Sequence, residues 1–131
     1  MEFHIVHMSK TGIKNSEVAL PAGGIVFETC LRRIVFFSSE QFLSQAVNQT
    51  WLQNNSFKFE IFKSETAYRF ILEVICGLHS LIKGETEIFG QFKDFFSTHK
   101  TEIDANGMTD VFKQLLVDCK FKRLRMNIAK N

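Results

Sequence analysis

The sequence predicts an α+β domain built on an antiparallel, ferredoxin-like split βαβ sheet, with a shortened first crossover and extra C-terminal helices. Three observations predict it. β-branched and aromatic runs crowd into the first half, helical spacing dominates after residue 64, and the elements follow the order strand, crossover, hairpin, helix, strand, helix. At 131 residues, 45% hydrophobic and 23% charged, the chain has apolar surface enough to offset its ordering entropy without a metal or disulfide staple. A single proline excludes a Pro-rich linker. Fifteen Phe against one Trp and one Tyr bring bulk without a polar handle, a composition for a core or a dry pocket.

Phe3, Ile5, Val6 and Met8 place a short strand at 2–8. Residues 9–24, which include Pro21-Ala22-Gly23-Gly24, read as a loop with at most one helical turn at 16–20. Ile25-Val26-Phe27 and Ile34-Val35-Phe36-Phe37 flank Glu28 to Arg33 and predict a hairpin with a longer turn. Ser38 and Ser39 suit the N-cap of a helix reaching Gln53, with Phe42, Leu43, Ala46, Val47 and Trp51 near helical spacing. Phe57, Phe59 and Ile61 then alternate with Lys58, Glu60 and Phe62 as a strand. Ser64 opens a helix with Ala67, Phe70, Ile71, Val74, Ile75 and Leu78 on its apolar face, and Gly77 offers the stop. Two further helices cover 85–99 and 109–125, the second with Val111, Phe112, Leu115, Leu116 and Cys119 as its buried stripe. Helices so numerous exceed what one small sheet face can cover, so some are expected to meet something beyond this chain.

Cys30, Cys76 and Cys119 are too few and too far apart for a disulfide framework, and residues 1–10 lack the apolar run of a signal peptide. A reducing, cytoplasmic setting is the expectation. Arg69, Glu73 and Lys83 interrupt the longest apolar candidate, so no transmembrane span and no membrane partner are expected. The net charge of +2 names no partner by itself. Lys120, Lys122, Arg123, Arg125 and Lys130 form a local basic end that could contact an RNA backbone, although a solvated helix face is the commoner meaning of such a run.

Cys30 is the most suggestive thiol, because it falls at the predicted hairpin tip with Arg32 and Arg33 following, and nearby positive charge favours the attacking thiolate. Taken alone, the commoner reading of Cys30 is a small buried hydrophobe, and that reading holds more strongly for Cys76 and Cys119 on apolar helix faces. His4 and His7 have opposite strand parity and cannot chelate one ion together, and Cys76 with His79 supplies only two ligands. No metal is therefore expected. His99 at a helix end meets the negative end of the dipole. Neither G-x-G-x-x-G nor a P-loop occurs, since five residues separate Gly84 from Gly90 and the residue after Gly90 is Gln91 rather than Lys, so a nicotinamide cofactor would have to come from another domain.

The stretch Gly77-Leu78-His79-Ser80-Leu81-Ile82-Lys83-Gly84-Glu85-Thr86-Glu87-Ile88-Phe89-Gly90-Gln91-Phe92-Lys93 resembles the glutamyl-tRNA reductase family, whose signature there runs G-L-D-S-hydrophobic-hydrophobic-x-G-E-P-Q-I-x-G-Q-x-K. Thr29-Cys30-Leu31-Arg32 resembles the family's T-C-N-R after an apolar strand, and Val6-His7-Met8-Ser9 is a weak echo of its N-H-K-T. Lys122-Arg123-Leu124-Arg125 and Ile128-Ala129-Lys130-Asn131 resemble the K-R-V-R stretch and the entry to the family's connecting helix.

The resemblance implies an N-terminal catalytic domain over 1–107, with 108–131 a helix leading toward the connecting helix and the NADPH and dimerisation domains outside this chain. It implies NADPH-dependent reduction of glutamyl-tRNA to glutamate 1-semialdehyde through a cysteine thioester, an oxidoreductase step of porphyrin and heme (tetrapyrrole) biosynthesis. The implied partners are glutamyl-tRNA as substrate, a second copy in a full-length homodimer, and a glutamate-1-semialdehyde aminotransferase. Cys30 matches the nucleophile and Arg32 the arginine that grips the substrate. Thr29, Leu31, Ser80, Glu85, Thr86, Glu87 and Gln91 match further substrate-binding positions, Glu85 suiting the substrate ammonium by charge.

The chain also departs from the family pattern. Phe70 stands where the family has a histidine important for activity, Leu31 where it has Asn, Thr86-Glu87 where it has Pro-Gln, and His79 where it has Asp. Phe70 removes any imidazole role, and the first crossover is shorter than the family's. The alternative reading is therefore a diverged domain that binds tRNA, glutamate or a partner protein without catalysis; a thiol-dependent esterase is a third.

Overall fold

The computed structural model describes residues 2–9, 23–38, 59–77 and 88–130, the side chains as far as 122. The chain divides into two compact units, Met1–Ala67 and Tyr68–Asn131.

In the first unit, β1 (Phe3–Ser9), β2 (Ile25–Glu28), β3 (Arg32–Ser38) and β4 (Glu60–Lys63) form one sheet in the order β2-β3-β1-β4, and each neighbouring pair is antiparallel. β1 is therefore a central strand. Phe3 to Met8 are all buried, and a strand buried on both faces reads as a near-continuous apolar run, which is why its alternation is irregular in sequence. One face carries Val6, Met8, Val35 and Phe37, with Val26, Phe59 and Ile61 packed against them. The register Ile5↔Phe36, His7↔Ile34 and His7↔Glu60 puts Ile5, Phe36, Ile34, His7 and Glu60 on the other. Gly24 closes the first face: a Cβ there would meet Val35 Cγ1 at 2.3 Å, so no side chain fits without displacing a stiff, buried valine.

The crossovers that the split βαβ reading places between β1 and β2 and between β3 and β4, including the helix from Ser39 to Gln53, lie outside the described residues. The hairpin is a correction to the expected longer turn. Glu28 pairs with Arg33, so the strands run up to a two-residue turn at Cys30-Leu31. Strand β4 passes directly into α1 (Ser64–Ile75) at Ser64, whose φ of 48° makes it the one non-glycine with positive φ among the described residues. That single left-handed residue replaces a linker.

α1 continues across the boundary into the second unit, which adds α2 (Ile88–Thr98), α3 (Lys100–Ala105) and α4 (Thr109–Lys130). Gly77, at φ 80°, ends α1 as expected, its N–H donating to the Val74 carbonyl at 3.0 Å. Much of the phenylalanine surplus is spent here. Phe112 of α4 stacks on Phe92 of α2 with centroids 5.2 Å apart and rings 11° from parallel, and Phe95 and Phe96 meet it at 6.2 and 5.5 Å. The Tyr68 hydroxyl of α1 donates to Asp118 of α4, and burial followed by that carboxylate pushes the phenol well above its ordinary range. Cys76 and Cys119 are buried with their sulfurs 3.0 Å apart, on the apolar faces the sequence assigned them.

The sequence reading missed α3. It is stopped by Asn106-Gly107, with Gly107 at φ 69° and Met108 N–H returning to the Ile103 carbonyl at 3.0 Å, a glycine stop that Asn-Gly signals in sequence. His99 precedes it and serves the helix-end role expected of it: Nδ1 donates to the Phe95 carbonyl at 3.2 Å while the ring packs on Phe95 at 4.6 Å. α4 runs five residues beyond the expected end at 125, to Lys130. Val117 and Phe121 are exposed on it. No helix among the described residues is long and apolar enough to cross a membrane.

Candidate active site

The β2–β3 turn is built around Thr29. Neither Cys30 nor Leu31 has positive φ, so this is not one of the mirror-image turns whose twist matches a tight hairpin. The side chain of Thr29 supplies the closure. Its N–H donates to the Arg32 carbonyl at 2.9 Å, while its Oγ1 accepts from Arg32 N–H at 3.1 Å and from Leu31 N–H at 3.3 Å. Threonine suits this position because a hydroxyl near the backbone can satisfy successive turn amides. Below the turn, Arg33 Nε donates to Glu28 across the register at 2.6 Å, a pair exposed enough to contribute at most about 1 kcal/mol.

The consequence is that Thr29 is buried and Cys30 is exposed at the tip. A thiol that packing had claimed would be inert, and Cys76 and Cys119 show that arrangement in the same chain. The exposed tip of a rigid turn presents sulfur to an incoming electrophile. Leu31 is half-buried beside it.

Arg32, the first residue of β3, is held from a third strand. Its Nη1 lies 3.2 Å from Nε2 of His7 on β1, and Nδ1 of the same ring lies 3.1 Å from Oε1 of Glu60 on β4. Because a guanidinium only donates, Nε2 must be the acceptor. His7 is then the neutral tautomer with its proton on Nδ1, donating to Glu60. His4, expected on the opposite face, is there: it pairs with Phe37 and Lys63, and burial first, then Lys63, lowers its pKa below the ordinary imidazole value.

The structure thus brings Thr29, Cys30, Leu31 and Arg32 together in one turn. Phe70, half-buried on α1, and Gln91, exposed on α2, belong to the second unit. Ser80, Glu85, Thr86 and Glu87, with His79, lie outside the described residues. His7 and Glu60 are the residues that sequence reasoning missed. A histidine inside an apolar strand was the available signal, but its pairing depends on the register of three strands distant in sequence. Among the described residues no group of three metal-ligating side chains converges.

Residues 6–119 match the family described as the glutamyl-tRNA(Glu) reductase, N-terminal domain. The glutamyl-tRNA reductase of Clostridium acetobutylicum (strain ATCC 824) is 30% identical over 110 residues, which are 78% of this chain and 28% of that protein. That of Pseudoalteromonas atlantica (strain T6c) is 29% identical over 119 residues, 82% of this chain and 27% of its own length. The solved glutamyl-tRNA reductase from Methanopyrus kandleri superposes with a TM-score of 0.62 at 17% identity, covering 94% of this chain and 34% of that one, a likeness of fold. The chain spans under a third of the length of the curated relatives it matches.

Proposed function

The chain belongs to the glutamyl-tRNA reductase N-terminal domain family, and from that premise we propose that its β2–β3 turn performs acyl capture in the NADPH-dependent reduction of glutamyl-tRNA to glutamate 1-semialdehyde, a step of tetrapyrrole biosynthesis. The observation that carries the reading is the exposed Cys30 on a turn tied by Thr29, two residues from a positioned Arg32. The Cys30 thiolate attacks the ester carbonyl carbon. A C–S bond forms, the C–O bond to the terminal ribose breaks, and the ribose oxygen leaves with the electron pair and takes a proton from water. Because an aminoacyl ester is already activated, orientation of the attacking sulfur carries much of this half-reaction. The planar fork of Arg32 suits a two-point grip on the glutamate side-chain carboxylate.

Residues 1–131 contain no dinucleotide-binding glycine motif, so they do not fit NADPH, and no step through it is derived from them. The cofactor and the homodimer contacts belong to family domains outside these residues, and a glutamate-1-semialdehyde aminotransferase is a further partner. By the family pattern, Ser80, Glu85, Thr86, Glu87 and Gln91 stand at further substrate-binding positions, in a domain at 1–107 followed by the linking helix at 108–131. The strand order supports the split βαβ reading of the sheet. The setting is the cytoplasm.

A second reading, binding of the glutamyl group without turnover, is favoured by Phe70, which can neither accept nor donate a proton where the family pattern has an imidazole. Intact mass after incubation with glutamyl-tRNA separates the two. A glutamyl adduct that vanishes in Cys30→Ser supports capture; a folded chain with reduced Cys30 that binds glutamyl-tRNA and forms no adduct establishes the second reading instead.

A further inference from the structure

We propose that His7 is a positioning residue for substrate recognition: as a neutral Nδ1–H imidazole it fixes the guanidinium of Arg32 without neutralising it, and Glu60 fixes the tautomer. This rests on the reading above that Arg32 grips the substrate carboxylate.

The arrangement crosses three strands in register. Glu60 stands directly opposite His7 in the β1–β4 pair, and Arg32 stands opposite Ser9, one step along the same face from the His7↔Ile34 pair. His7 is 5% exposed, whereas the Glu60 side chain is 65% exposed. The buried member is thus the neutral one. A carboxylate at position 7 would hold Arg32 at least as firmly, but it would cancel the charge that a substrate carboxylate needs to find. An imidazole accepting through Nε2 supplies geometry and brings no negative charge to that contact.

The role of Glu60 follows from the same constraint. A neutral imidazole has two tautomers, and the Nε2–H form would turn an N–H toward a group that can only donate. An acceptor at Nδ1 selects the useful form. Glu60 acts at one remove from Arg32, with the ring between them, so its negative charge orients the histidine rather than occupying the arginine. A bidentate grip requires the plane of the fork to be fixed, and contact with a ring locked by two hydrogen bonds fixes it.

Two measurements on the 131-residue chain test this. The first is the two-bond proton–nitrogen correlation of the imidazoles, with His7 assigned by its loss in His7→Gln. The Nδ1–H tautomer is expected, redistributing toward Nε2–H in Glu60→Ala; an Nε2–H His7 in the unaltered chain overturns the proposal. The second is titration of the Cys30→Ser form, which cannot be acylated through sulfur, with glutamate 1-methyl ester and with glutamine methyl ester. Glutamate ester is expected to bind at least ten-fold more tightly. His7→Phe, which keeps the ring's bulk, is expected to abolish that preference with the fold intact by circular dichroism, and His7→Gln, whose amide both accepts and donates, to restore most of it.

A purely structural His7 would alter stability and leave the glutamate-to-glutamine ratio unchanged; that result, or no preference before substitution, overturns the positioning role. Failure of adduct formation with the tautomer and the preference both present removes the catalytic reading and leaves this one standing.

Discussion

Replacing Thr29 by Val removes one oxygen and keeps the shape, so it isolates what the hydroxyl contributes to the turn that carries Cys30. Oγ1 accepts two backbone N–H groups, one at 3.1 Å and a weaker one at 3.3 Å, on a residue only 7% exposed. A protein hydrogen bond contributes about 1 kcal/mol net, and amides left without an acceptor near buried surface cost up to roughly 3 kcal/mol. With one firm and one long bond lost at a turn that water can partly reach, the expected destabilisation is about 1–2 kcal/mol. Thr29→Ser, which keeps the oxygen, should recover most of it. The assay is urea unfolding followed by circular dichroism, paired with the rate of Cys30 alkylation by iodoacetamide. That rate isolates the turn because the other two thiols are buried. The valine variant is expected to lose adduct formation with glutamyl-tRNA more steeply than alkylation, since an ester needs an oriented sulfur and a small alkylating agent does not. A Thr29→Val chain within 0.5 kcal/mol of the parent, with unchanged adduct formation, would refute the role assigned to Oγ1.

Phe112 is fully buried and touches three rings, so Phe112→Ala is expected to cost about 3–5 kcal/mol in urea unfolding; a loss below about 1 kcal/mol would mean that the cluster collapses around the gap. His4 gives a pH dependence with a definite sign. Burial, then Lys63, lowers its folded pKa from 6.5, so below that pH the unfolded chain takes up the proton first and stability falls. The slope from this one group is at most about 1.4 kcal/mol per pH unit. Denaturation between pH 7.5 and 5 should show it flattened in His4→Gln, and an unchanged slope would assign the effect to other groups.

Legibility in the sequence followed the range of the interactions. The hairpin strands, Ser64 as a helix start, Gly77 as a stop and Phe112, Leu115 and Cys119 of the last helix's apolar stripe are local patterns, and each is readable, whereas Val111 and Leu116, expected in that stripe, are only half-buried. The length of the hairpin turn was misjudged because Glu28 and Arg33 are charged and looked like loop, whereas they form a cross-strand pair on an exposed rung. α3 was overlooked because a six-residue helix has too few turns to show a periodicity, although its Asn-Gly stop was visible. Within the site, Thr29 to Arg32 are contiguous and could be read as a motif. His7 and Glu60 are 53 residues apart and become neighbours only through the β1–β4 register.

This difference in range also sorts the departures from the family pattern. The backbone of the turn is set by Thr29, whose Oγ1 takes the Leu31 N–H whatever side chain residue 31 carries. Leu in place of Asn therefore leaves the presentation of Cys30 intact and removes only what an amide at that point would offer a ligand. The backbone of Arg32 is tied to Thr29, whereas its guanidinium rests on β1 and, through His7, on β4, elements outside the turn. The turn that carries Cys30 and the guanidinium of Arg32 are thus supported by different interactions that meet at residue 32. A substitution at 29 should disturb sulfur reactivity first, and one at 7 or 60 should disturb recognition of the carboxylate first. Thr29 and His7 both bond Arg32, one at its backbone and the other at its guanidinium, so a double variant is expected to show losses that fail to add, as they do for groups that share a partner. Losses that add to within about 0.5 kcal/mol would mean that Arg32, the residue bonded to both, transmits nothing between turn and relay.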